Sequence, residues 1–258
     1  MVEYSAPVGA PIWFDLTSSS PERAVEFYGP LFGWDVEPPN PEFAGYQNFR
    51  LHDRRVAGLH PHFPEAGGPS DLWSVYLHTP DAAASEDAIR AAGGQVMLPS
   101  MPVGDLGSMG FAVDPGGADI GFWQPHSHTG FAEWGVHGAP YWFECHSRNQ
   151  AQALPFYANA FGARPVTVDG APGNYTQLFF GETSYAGVMD IVGVLPDGAP
   201  ARWNVYITVD DVAASAAKAV ELDGTVIVEP ESTPFGDLAT VADPMGAQIS
   251  LGHPPAGM

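Results

Sequence analysis

The chain has 258 residues, room for two units of ordinary domain size, and its 45% hydrophobic and 12% aromatic content is that of a globular protein. Thirty Asp and Glu against nine Lys and Arg give a formal charge of −21, which repels phosphate backbones and anionic bilayers and argues against both as partners. A single cysteine, Cys145, leaves no internal disulfide framework. No window approaches a membrane span and the N-terminus has neither a basic nor an apolar leader, so the expected location is cytoplasmic.

The chain opens with an aromatic strand over 12–16, then Thr17-Ser-Ser-Ser-Pro21, whose hydroxyls and proline start a helix over 22–32 that Gly33 ends. A short strand at 34–37 and a hairpin of 46–51 with 56–60 follow. A smaller version of this order then runs through strand 72–78, helix 81–92, strand 95–98, a glycine-rich loop at 101–109, and a hairpin of 111–113 with 118–123. The second half repeats it in strand 141–146, helix 151–161 and strands 164–168, 175–180 and 185–191. Strand 203–209, helix 211–222 and strands 225–228, 238–242 and 247–251 complete it. The repetition is visible residue by residue. Trp13/Trp142, Phe27/Phe156, Tyr28/Tyr157, Gly33/Gly162 and Tyr46/Tyr175 are all 129 apart. The interval drifts to 130 at Trp73/Trp203 and 132 at Gly104/Gly236, then returns to 129 at Asp114/Asp243 and Ile120/Ile249. Shifts confined to loops mark a tandem duplication. The expected fold class is therefore α+β, with two tandem domains, each a pair of βαβββ modules in a curved mixed sheet. Domain one covers 1–125 (modules 10–66 and 70–125) and domain two 140–258 (modules 140–198 and 200–254), joined by a packed segment at 126–139.

A helix ending Phe-Tyr-x-x-x-Phe-Gly, a closing turn Asp-Pro-x-Gly-Ala-x-Ile, and Gly93-Gly94 between helix and strand together resemble the vicinal oxygen chelate superfamily. That group contains glyoxalases, bleomycin-resistance proteins and extradiol dioxygenases. The phrases Trp-Phe-Asp-Leu and Leu-Phe-Gly-Trp resemble its tandem actinobacterial branch. The resemblance implies that each module pair curls into a cup that holds a small molecule. It also implies a divalent metal in the cup, held from the first, fourth, fifth and last strands. Carried over, those places fall on Trp13, Gly58, Ser74 and Gly121 in domain one and on Trp142, Gly187, Asn204 and Ser250 in domain two. Tryptophan and glycine side chains offer a hard cation nothing, so no metal and no cofactor is expected.

Alternation along a strand then points Asp15, His60, Tyr76, His78 and Trp123 into the first cup, and Glu144, His146, Met189 and Tyr206 into the second. Asp15 with His60 or His78, and Glu144 with His146, are candidate acid–base pairs. Trp13, Ser74, Tyr76, His78, Trp123, Trp142, Asn204, Tyr206 and Ser250 are the candidate ligand-binding residues, aromatic walls suiting a flat apolar ligand. His126 and His128, in the connecting segment without a third donor, read as surface residues. The resemblance implies that the loop 104–110 lies at the mouth of the first cup, and this loop and 234–237 of the second domain are expected to act as gates. The first expectation is metal-independent binding of a small apolar or aromatic molecule by a monomer or weak homodimer. The alternatives are a cofactor-independent tailoring enzyme (isomerase, cyclase, lyase or hydroxylase-like) and a metalloenzyme with a displaced site built from Asp15, His60 and His78.

Overall fold

The structure is a computed structural model and describes residues 4–171 and 174–254. The outer ends of the two expected domains, 1–3 and 255–258, lie outside the described residues. The first half runs β1 (Pro11–Ser18), α1 (Pro21–Phe32), β2 (Asp35–Val36), β3 (Gln47–Leu51), β4 (Arg54–Pro61), β5 (Leu72–His78), α2 (Ala82–Ala91), β6 (Gln95–Val103), β7 (Gly107–Val113) and β8 (Asp119–Pro125). The second half runs β9 (Pro140–Ser147), α3 (Gln150–Phe161), β10 (Arg164–Thr167), β11 (Thr176–Phe180) and β12 (Thr183–Asp190). It ends with β13 (Arg202–Thr208), α4 (Val212–Glu221), β14 (Thr225–Thr233), β15 (Gly236–Ala242) and β16 (Gln248–His253).

Each half folds into one eight-stranded mixed sheet, in the orders β2-β3-β4-β1-β5-β8-β7-β6 and β10-β11-β12-β9-β13-β16-β15-β14. Within the first, β1 runs parallel to β4 and antiparallel to β5, which is parallel to β8. This is the expected α+β arrangement of paired βαβββ modules, made twice.

Local chemistry sets the element ends. Pro21 opens α1 and Gly33 closes it in the left-handed region at φ 71°. Ser20, at the cap position, makes no side-chain cap; Ser18 Oγ instead accepts from the Ser20 amide at 3.1 Å. Asp81 and Asp211 cap α2 and α4 by accepting from Ala84 and Ala214. The stretch expected as a glycine-rich loop is different. β6 continues through Val103 and pairs with β7 up to Val103↔Gly107, leaving a tight turn. Pro99 and Pro102 are tolerated because β6 is an edge strand with two register shifts.

The two halves pack through their helical sides. β5 and β13 meet at the centre, with α1 against α4 and α2 against α3 on either flank. Phe14, Phe131 and Phe143 fill the middle, with ring centroids 5.9–6.0 Å apart. Phe131 comes from the connecting segment, which is thus part of the core. Polar ties cross the joint reciprocally. Asp114, in the β7–β8 turn, accepts from Tyr157 of α3 at 2.7 Å, and Asp243, in the equivalent turn of the second half, faces Tyr28 of α1. Trp203 and Trp73 each donate an indole N–H to their tyrosine, at 2.9 and 3.1 Å. Burial pushes the carboxyls of Asp114 and Asp243 up; Tyr157 serves the first, whereas Tyr28 donates to the Ala247 carbonyl at 3.5 Å and Asp243 Oδ2 has no partner among the described residues. Tyr157→Phe is therefore expected to cost about 1–3 kcal/mol by leaving a buried acceptor short of a partner, measurable by urea unfolding. An unchanged midpoint would show that the tie contributes nothing.

Candidate functional site

The first cup is built on the outer face of β1, β4, β5 and β8. The register sets Trp13 opposite Tyr76 and Asp15 opposite Ser74 on β5, with Gly58 of β4 beside Asp15 and Gly121 of β8 beside Tyr76. Side chains two apart on one strand share a face, so Trp13, Asp15 and Thr17 look the same way.

Tyr46, just before β3, completes the arrangement. Trp13 Nε1 donates to the Tyr46 hydroxyl at 2.9 Å, and Tyr46 donates to Asp15 Oδ2 at 3.3 Å. Tyr76 donates to the same oxygen at 3.0 Å. Asp15 is 4% exposed, and burial pushes its carboxyl up, against the opposing pull of the nearby His60 and the two phenols. Burial and the Asp15 charge hold both phenols far into their protonated form, so they remain donors. Among the described residues no group bonds Asp15 Oδ1.

Asp15, Thr17, Tyr46, His60, Ser74 and Tyr76 line a cavity of about 230 Å³. A larger space of about 1040 Å³ opens over it, walled by Trp13, Phe43, Tyr76, Met101, Trp123 and His128. Arg55, bound through two nitrogens to Glu37 at 3.0 and 3.1 Å, and Asn48, 2.9 Å from the same carboxylate, make one polar side. The turn after β6, expected at the mouth, does border this space through Val103, Gly104 and Leu106.

The expected pairs fare unequally. His60 does not bond Asp15: its Nδ1 donates to the Pro61 carbonyl at 2.8 Å and its Nε2 pairs with Thr17 Oγ1 at 2.9 Å. His78 donates to the Ala6 carbonyl at 2.8 Å and lines neither cavity. In the second half Glu144 and His146 do meet, at 2.8 Å, and Tyr206 donates to the same Glu144 oxygen at 3.1 Å. Trp142 donates to Tyr175 at 2.6 Å, repeating the Trp13–Tyr46 bond. Asn204 donates to the Glu144 carbonyl at 3.3 Å, and Ser250 pairs with Thr240 at 3.1 Å. The ring of Phe235, from the turn after β14, sits 6.3 Å from Tyr175. Both cups therefore hold a buried carboxylate served by phenols, with Asp15, Tyr46 and Tyr76 answered by Glu144, Tyr175 and Tyr206.

The residues present do not fit the divalent metal of the superfamily. A Cβ at Gly58 would collide with the Tyr46 hydroxyl, one at Gly187 with the Tyr175 hydroxyl, and one at Gly121 with the Tyr76 ring. Phenols occupy the space from which side chains of β4, β8 and β12 would reach a cation. Among the described residues no three His, Cys, Asp or Glu converge, so the displaced set of Asp15, His60 and His78 is not formed. Tyr46, Tyr175 and His128 escape a reading of the sequence alone; the Tyr46/Tyr175 repeat is the signal that could have found the first two.

The sequence model of the Glyoxalase/Bleomycin resistance protein/Dioxygenase superfamily matches residues 11–122 and 144–251, and the chain belongs to that superfamily. A Mycobacterium tuberculosis protein named "Putative glyoxylase CFP32" is 37% identical over 251 residues, covering 95% of each chain. The "Anthracycline biosynthesis protein DnrV" of Streptomyces peucetius is 34% identical, covering 94% of this chain and 92% of its own. Among solved structures, the 2,3-dioxygenase LapB from Pseudomonas sp. KL28 superposes with a TM-score of 0.66 at 15% identity, covering 98% and 96% of the two chains. A Mn(II)-bound glyoxalase from Novosphingobium aromaticivorans gives 0.63 at 16%, covering 95% and 83%. At these identities the structures share the fold alone.

Proposed function

We propose that the protein binds a small apolar or aromatic molecule, a natural product or metabolite, in its first cup, without a divalent metal. The observation that carries this reading is the Trp13–Tyr46–Asp15–Tyr76 chain of hydrogen bonds. It fills the place of the metal ligands and floors an aromatic-walled cavity large enough for a ligand. Indole, phenol and thioether walls favour a flat apolar body, and the few polar groups orient it. The two Streptomyces relatives named for anthracycline biosynthesis, 34% and 32% identical, support a natural product as the ligand.

A second reading rests on one specific observation. A buried carboxyl with a raised proton affinity and a free oxygen in a ligand-sized cavity has the properties of an acid–base group. In that case Asp15 moves a proton on the bound molecule while Tyr46 and Tyr76 stabilise its charged form.

Calorimetric titration with 2,6-dihydroxynaphthalene, before and after dialysis against EDTA, tests the binding reading. Saturable binding that the chelator leaves unchanged is expected. Binding that vanishes with EDTA and returns with Mn(II) would overturn it, as would no saturable heat at all.

A further inference from the structure

We propose that His128 contacts the ligand directly and sets its specificity. The molecule it helps hold is a planar aromatic with a hydroxyl donor on the edge that meets Asp15 and a polar group on the opposite edge. The inference rests on the binding reading above and specifies the ligand class.

His128 belongs to neither sheet. It lies on the connecting segment, and main-chain bonds place it there. His126 and His128 amides donate to the Leu106 carbonyl at 2.9 and 3.0 Å, and Ser127 Oγ donates to the Asp105 carbonyl at 2.9 Å. Trp123 Nε1 donates to the His128 carbonyl at 3.0 Å. Two residues on, Gly130 at φ +94° lies so close to the Ile12 carbonyl that a side chain would not fit, and Phe131 is buried in the core. The path of the segment is thus fixed from both ends by bonds that do not involve the imidazole. Its ring stands edge-on to Trp13, with centroids 4.4 Å apart at 86°. Among the described residues neither ring nitrogen has a hydrogen-bond partner, neither is a buried orphan, and the side chain faces the larger cavity.

Burial and the nearby Arg55 guanidinium hold the imidazole down at about 4, so at neutral pH it is uncharged and offers one donor and one acceptor. Asp15 lines both cavities, and when it is ionised its Oδ1, which no described group bonds, can only accept. The ends of the cup therefore differ. Ionised Asp15 demands a donor, and His128 takes either a donor or an acceptor. A hydroxylated aromatic satisfies both; a plain hydrocarbon leaves Asp15 unmet.

Titrations of wild type, His128→Phe and His128→Gln at pH 7 with three naphthalenes test the assignment. 2,6-Dihydroxynaphthalene and 6-methoxy-2-naphthol, each with a donor for Asp15, are expected to bind wild type within about threefold of one another. 2,6-Dimethoxynaphthalene, with none, is expected to bind at least about tenfold more weakly. His128→Phe keeps the ring's shape and loses its nitrogens, and is expected to weaken the first two by about five- to tenfold. His128→Gln, which restores a donor and an acceptor, is expected to recover most of that loss. Equal affinity for the dimethoxy compound would overturn the demand for a donor. A His128→Phe affinity equal to wild type would overturn the role of His128. If wild type binds none of the three, the binding reading fails and takes the assignment with it.

Discussion

Asp15→Asn is expected to make the protein more stable at neutral and higher pH and at the same time to weaken binding in the first cup. Burial raises the Asp15 carboxyl above its ordinary range, so the ionised group is a cost to the folded state. For a carboxyl raised on folding, its favourable contribution is fully present below the unfolded value, about 3.9, and is lost as pH rises through the folded value. Asparagine carries no charge to desolvate, and its oxygen can still accept from Tyr46 and Tyr76. The gain in Tm should be near zero at about pH 4 and grow toward pH 8. Parallel Tm curves across that range would contradict the burial argument. The binding loss has a separate cause. With its oxygen held by the phenols, the substituted side chain turns its NH2 group to the cavity, so a ligand's hydroxyl must accept where it donated and the charge-assisted bond is lost. A loss of at least about tenfold is expected by calorimetry.

Phe14→Ala carries the largest expected effect on the fold, about 3–5 kcal/mol in chemical unfolding. The ring is fully buried, its centroid 5.4 Å from Trp73, 6.0 Å from Phe131 and 5.9 Å from Phe143. Those three residues belong to β5, the connecting segment and β9, so the cavity would open where both halves meet. The interlocking of Tyr157 with Asp114, and of the Phe156 ring over Gly94, leaves little room for either half to shift and refill it. A single unfolding transition at lower denaturant is expected. Two separate transitions would show that the halves are independent.

Much of this is legible in the chain. The constant interval between Trp13 and Trp142, Tyr28 and Tyr157, and Asp114 and Asp243 reveals the duplication, because each pair is the same structural part used twice. Strand alternation points Trp13, Asp15, Tyr76 and Trp123 to one face, and the cavity is lined by them. What stays hidden depends on irregular backbone. Tyr46 precedes β3, after a single turn of 3₁₀ helix, where no period says how far a phenol reaches. Its hydroxyl ends over Gly58 and separates His60 from the role alternation suggests. His60 turns instead to Thr17, two residues along β1 from Asp15. His128 reads as a surface residue because nothing in a sequence tells which face a connector will cross. β6 reads short because Pro99 and Pro102 signal loop everywhere except on an edge strand.

Whether the first cup and not the second takes a flat hydroxylated aromatic can be read at the indole N–H groups. Trp13 and Trp123 wall the larger cavity, while Trp142 donates to Tyr175 in the second cup. Their ¹⁵N–¹H resonances can be assigned by Trp13→Phe, Trp123→Phe and Trp142→Phe and followed while 2,6-dihydroxynaphthalene is added. Saturable shifts at Trp13 and Trp123 are expected, with Trp142 unmoved. Shifts at Trp142 alone, or at none of the three, would contradict binding in the first cup.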